Sequence, residues 1–87
     1  MSDQLETKRR KLRFRSLRRG TKESDLVIGG FAERHLRELS AEQLDRFEAL
    51  LDENDQDVLG WVIGISPPPA QFDNDVLAMM KEFKKNT

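Results

Sequence analysis

The stretch Leu26-Val27-Ile28-Gly29-Gly30-Phe31-Ala32-Glu33-Arg34-His35-Leu36-Arg37-Glu38-Leu39 decides how this chain folds. Ile28, Phe31, Ala32, His35, Leu36 and Leu39 stand at i, i+3, i+4, i+7, i+8 and i+11, which gathers six side chains on one helical face. Leu26-Val27-Ile28 alone has strand character, but no partner strand is legible elsewhere. Gly29-Gly30 interrupts the pattern. Each glycine costs a helix interior roughly 0.8–1 kcal/mol relative to alanine. The pair therefore predicts a kink or short break, or a place where another backbone comes close.

Working outward from this segment, read over about 22–39, the same period recurs on both sides. Toward the N-terminus, Ser2 is a candidate cap for a first helix over about 3–18, whose apolar stripe is sparse: Leu5, Leu12, Phe14 and Leu17. Gly20 closes that helix in a left-handed turn, and Thr21 caps the next one. Toward the C-terminus, Ser40-Ala41-Glu42-Gln43 has the form of a capping box and opens a third helix over about 41–53, burying Leu44, Phe47, Leu50 and Leu51. Asn54 and Asp55 turn the chain into a short fourth helix over about 56–64. Its apolar residues are Val58, Leu59, Trp61, Val62 and Ile63, with Trp61 open to a core or a half-exposed place. Pro67-Pro68-Pro69 form a stiff connector. A last helix over about 70–84 offers Phe72, Val76, Met79, Met80 and Phe83. The pattern predicts a single all-α domain, a compact five-helix unit over 1–87. Phe31, Leu36, Phe47, Leu50, Val62, Met80 and Phe83 are expected to share its core.

Composition narrows what such a domain does. The 87 residues contain no cysteine, which removes disulfides, zinc knuckles, iron–sulfur ligation and thiol catalysis. The longest apolar run, Leu26 to Ala32, falls far short of the roughly 20 residues a bilayer helix requires. Residues 1–23 hold nine Lys or Arg against three acids, a net of +6, while residues 24–87 hold six against thirteen, a net of −7. Such polarity points to an electrostatic partner surface. No apolar segment follows the basic start, so it does not read as a signal peptide, and the chain reads as mature from Met1.

No residue set looks catalytic. His35, the single histidine, lies on the apolar stripe and reads as a partly buried, satisfied side chain. Asp52-Glu53-Asn54-Asp55-Gln56-Asp57 shares only acidity with a calcium loop: Asp57 stands where the sixth-position glycine belongs, and Ile63 where the twelfth-position glutamate belongs. No metal site is expected. Gly29-Gly30 lacks the spacing of a phosphate loop. The basic first helix leaves one competing reading, a small nucleic-acid-binding or regulatory protein. Against it stand the acidic remainder and the presence of Phe14 alone among the basic residues as an aromatic.

Arg19-Gly20-x-x-Glu23, followed by Asp25-Leu26 and Gly30-Phe31-Ala32, resembles the RGxxE signature of the succinate dehydrogenase assembly factor 2 family, called SdhE in bacteria. The match continues through Phe31-Ala32-x-x-His35-Leu36, Ser40-x-x-Gln43-Leu44, the acidic turn with Trp61, and Asn74-Asp75-Val76-Leu77, covering about residues 8–84. The resemblance implies a five-helix fold and a soluble, non-catalytic factor; separately, the chain is expected to be a monomer without a cofactor of its own. The resemblance also implies a partner, the flavoprotein subunit of succinate dehydrogenase and, in bacteria, of fumarate reductase, to which the factor promotes covalent FAD attachment. Flavin and acceptor histidine both belong to that partner. The place of action is then the cytoplasm of a bacterium or the mitochondrial matrix of a eukaryote. The docking residues carry over to Arg19, Gly20 and Glu23, with Arg18 and Asp25 as neighbours. Arg19 and Glu23 are expected to point their heads to the same side of Gly20. Thr21 and Ser24 depart from the pattern, standing where many members have larger apolar residues.

Overall fold

A computed structural model describes residues 2–17 and 19–86, with side chains from residue 4 onward. Five helical segments follow one another. They are α1 (Ser2–Ser16), α2 (22–38), α3 (Ala41–Leu51), α4 (Asp55–Ile63) and α5 (Asp75–Lys85), with a single 3₁₀ turn, Ala70–Phe72, before the last. No strand occurs among the described residues. The capping role read for Ser2 concerns a side chain outside those described.

The caps act where the sequence places them. Thr21 Oγ1 accepts the Ser24 amide at 3.1 Å and opens α2. The Ser40–Gln43 box closes in both directions, at 3.2 and 3.0 Å, and opens α3. Asn54 caps α4 through the Gln56 amide at 2.8 Å. The fifth helix departs from its predicted start near residue 70. Residues 70–72 make only a 3₁₀ turn after Pro69, and Asn74 then accepts the Leu77 amide at 3.1 Å, so α5 begins at Asp75. A side-chain acceptor at Asn74 competes with continuation of the turn and resets the helix.

No break occurs at Gly29-Gly30. The segment runs on through a π-helical turn, Asp25–Gly29, into a regular turn, Gly30–His35, and ends in a 3₁₀ turn at Leu36–Glu38. Close backbone approach is realised. A Cβ on Gly29 would lie 3.0 Å from the Ser16 carbonyl oxygen, so the end of α1 rests directly on α2.

One continuous core forms between the helices. Phe31, Leu36, Phe47, Leu50, Val62 and Met80 are buried in it, and Phe83 packs against it partly exposed. Trp61 is buried and stacks on Phe72, ring centroids 5.2 Å apart. His35 is half-buried between Phe31 and Phe83, at 5.1 and 5.8 Å, with Nδ1 3.2 Å from Glu38 Oε1. The stripe read on α1 is corrected. Leu12 is buried and Leu5 partly so, but Phe14 is 79% exposed and Leu17 is exposed as well. Two residues advance a helix by about 200°, which carries Phe14 to the far side from Leu12. The face continues through Ser16, four residues on, whose buried hydroxyl donates to Leu12 O at 2.7 Å.

The opposed charges of the two parts of the chain pair with each other across the domain's own surface. Lys8 pairs with Asp45 and Glu48, Arg13 with Glu33 at 3.0 Å, and Arg15 with Asp52 at 2.6 Å. Arg9 donates to the carbonyls of Leu36 and Leu39 at 3.2 and 2.9 Å, covering the end of α2. The Arg13 guanidinium beside Glu33 holds that carboxyl below the usual carboxylate range. Much of the basic helix is thus committed to docking on its own acidic body.

Candidate docking site

The family-like motif lies in the connection from α1 to α2. Gly20 adopts φ +110°, a region that disfavours any side chain, and a Cβ built there meets nothing within 4 Å. The glycine therefore serves a turn whose outer face is open. Two residues on from Thr21, Glu23 is exposed in the first turn of α2. Leu26, one turn further, is 64% exposed. Glu23, Leu26, Val27, Phe83 and Lys84 line a shallow depression of about 270 Å³ beside this loop.

Arg19 goes the other way. The expectation that its head lies with Glu23 on one exposed side is not met, because its side chain is only 14% exposed. Nε and Nη2 donate to Asp55 Oδ1 at 3.1 and 2.7 Å, Nη2 also to Leu51 O at 2.8 Å, and Nη1 to Arg15 O at 2.9 Å. A planar cation among carbonyls left over at two helix C-termini finds both hydrogen bonds and a favourable dipole field. Asp25 is partly buried, and its carboxylate accepts the Arg19 amide. Arg18 lies outside the described residues. Thr21 and Ser24, the departures from the family pattern, are bonded to each other through their hydroxyls at 2.8 Å, so a polar cap occupies the place of apolar packing.

Sequence reasoning missed Asp55. It stands 36 residues from Arg19, and the sequence reads it as part of a helix-opening turn and of the family's acidic turn, not as an arginine's partner. Its cations are arginines: Asp52 holds Arg15 and Asp55 holds Arg19. The turn's density of acids beside a basic N-terminal helix was the available signal. Among the described residues, no group of three or more metal-binding side chains comes together, and no helix is long and apolar enough to cross a membrane.

Fold and loop together define a small helical protein that presents an open glycine turn, with an exposed carboxylate and leucine in the helix that follows. A family model described as "Flavinator of succinate dehydrogenase" matches residues 10–84. The chain is 34% identical over 87 residues to a succinate dehydrogenase assembly factor 2-A, mitochondrial, of Drosophila sechellia, covering 98% of this chain and 53% of that protein. It is 36% identical over 84 residues to assembly factor 2-B, mitochondrial, of Drosophila melanogaster, covering 94% of this chain and 54% of that one. This chain belongs to the family of succinate dehydrogenase flavinators. It spans about half the length of the curated relatives it matches. The nucleic-acid reading finds no support: Lys8, Arg9, Arg13, Arg15 and Arg19 are all engaged within the domain.

Proposed function

We propose that this domain binds the flavoprotein subunit of succinate dehydrogenase through the α1–α2 turn and promotes covalent attachment of FAD to it. In this reading the domain supplies no catalytic group and no flavin of its own. It acts as a monomer in the compartment where the flavoprotein matures, a bacterial cytoplasm or a mitochondrial matrix, and in bacteria the same turn serves fumarate reductase. The observation that carries the reading is Gly20: a positive-φ glycine whose missing side chain faces open space, with exposed Glu23 next to it, in a chain of this family. An open face at a strained glycine suits the close approach of a second backbone. Glu23 offers that partner a carboxylate. By binding the arrangement in which flavin and acceptor histidine are correctly placed, a helper raises the population of that state without reacting itself.

The test is reconstitution with the unflavinylated flavoprotein subunit and FAD, read as flavin fluorescence of the subunit in a denaturing gel. Gly20→Ala and Gly20→Arg share the backbone strain, about 1–2 kcal/mol, but only arginine fills the open face. The expected result is attachment lost with Gly20→Arg and Glu23→Ala, and retained in larger part with Gly20→Ala. Glu23→Ala should melt close to wild type, since an exposed carboxylate contributes under about 1 kcal/mol. Full attachment with folded Gly20→Arg and Glu23→Ala overturns the proposal.

A further inference from the structure

The motif arginine reaches all four of the helices around it. Its guanidinium takes the last carbonyls of α1 and α3, at Arg15 and Leu51, and the first-turn carboxylate of α4, at Asp55. Its backbone amide is held by Asp25 at the start of the π-helical turn of α2. Of the five N–H donors in an arginine head, these contacts use four. Little of the charge is left to meet another molecule, as Arg19 and Asp55 are 14% and 18% exposed. Gly20 follows immediately, so the clamp sets where the open turn stands.

We infer that Arg19 and Asp55 are positioning residues: the pair locks residues 19–23 into the docking shape from inside the domain and does not touch the partner. Asp55, outside the RGxxE motif, is thereby part of the docking function. The inference rests on the docking reading above. Its physical content is a population. When the clamp is cut, the turn visits other conformations, and affinity falls by the fraction of time spent in the competent one. If that fraction drops to about a tenth, affinity drops about ten-fold. A lysine at 19 provides one charge but no planar fork for three acceptors, so Arg19→Lys counts as cutting the clamp too.

The experiment compares Arg19→Gln, Asp55→Ala and the double variant in two measurements. Amide hydrogen exchange on the free protein is expected to quicken at the hydrogen-bonded amides that frame the turn, Arg19, Ser24 and Asp25, by a similar factor, about ten-fold, in all three, while Phe47 and Met80 stay slow. Affinity for the flavoprotein is expected to fall equally in both single variants and no further in the double, with the maximal rate of flavin attachment restored at saturating concentration. Where Asp55→Ala does not fold, Asp55→Asn is read by the same criteria. Unchanged exchange on loss of Asp55 overturns the clamp. Additive losses of affinity, or a lowered maximal rate, put Arg19 on the partner and overturn the inference equally. Failure of the docking reading has a separate signature: the wild-type protein does not bind the flavoprotein, and the positioning role falls with it whatever the exchange shows.

Discussion

Adding one methyl group at Gly29 or at Gly30 should move stability in opposite directions. Both glycines lie inside α2, where replacement by alanine gains roughly 0.8–1 kcal/mol from helix propensity. At Gly29 the new Cβ stands 3.0 Å from the Ser16 carbonyl oxygen and 3.9 Å from its carbon. That oxygen is backbone, and the residue bearing it is buried and bonded through its hydroxyl to Leu12. The end of α1 cannot turn aside without shifting Leu12 in the core. Overpacking of this kind costs about 1–3 kcal/mol, so a net loss near 1 kcal/mol is expected, with a range of about 0–2. For a domain of this size that lowers the melting temperature by about 4–8 °C. At Gly30 the new Cβ meets the tip of the Phe83 ring, 3.1 Å from Cζ and 3.4 Å from Cε2. Phe83 is only partly buried, and its ring can give by a few tenths of an ångström. Gly30→Ala should therefore melt at or above wild type. Thermal unfolding followed by far-ultraviolet circular dichroism orders the three proteins. A Gly29→Ala protein as stable as wild type, or less affected than Gly30→Ala, refutes the argument from backbone contact.

Three further outcomes are expected. Phe47→Ala removes a fully buried ring that meets Phe31 at 5.6 Å. Its cost of about 3–5 kcal/mol is a large share of the roughly 4–13 kcal/mol expected for a chain of this length, and denaturant titration should show a midpoint lowered by about a third or more. His35→Gln loses two ring contacts, about 0.5–1.5 kcal/mol each at most; its melting temperature should fall modestly while flavin attachment in the reconstituted assay continues. Asp75 is held below the usual carboxylate range first by the Gln43 amide, with Arg46 adding to it. That contribution is complete above the unfolded pKa of about 3.9 and lost as pH falls toward the lower folded value. Melting curves between about pH 5 and pH 3 should therefore drop more steeply for wild type than for Asp75→Asn. Because both partners are largely exposed, the difference is small.

Local chemistry made most of the fold readable. Ser40 with Gln43 and Thr21 with Ser24 are side-chain-to-backbone bonds spanning three residues, so the sequence carries both partners of each. The 3.6-residue period of α2 assigned Phe31, Leu36 and their neighbours to the core for the same reason: a helix places them on one face before anything packs against it. The site was legible only in part. Gly20 and Glu23 stand open as their types suggest, whereas Arg19 turns inward, away from the exposed side its type suggests.

What the sequence alone determined is therefore the helices, their caps, the buried faces and the glycine turn, because each depends on residues within about two turns of one another. Only the tertiary structure decided that Trp61 stacks on Phe72 in the interior and that the basic first helix pairs with the acidic body. It also decided that Gly29 receives the end of α1, and that Arg19 turns inward to Leu51 and Asp55. These contacts join residues 11 to 37 positions apart. A charge in a sequence shows its sign but not its neighbours, and an arginine goes to whichever leftover carbonyls and carboxylate the packed helix ends bring within its reach.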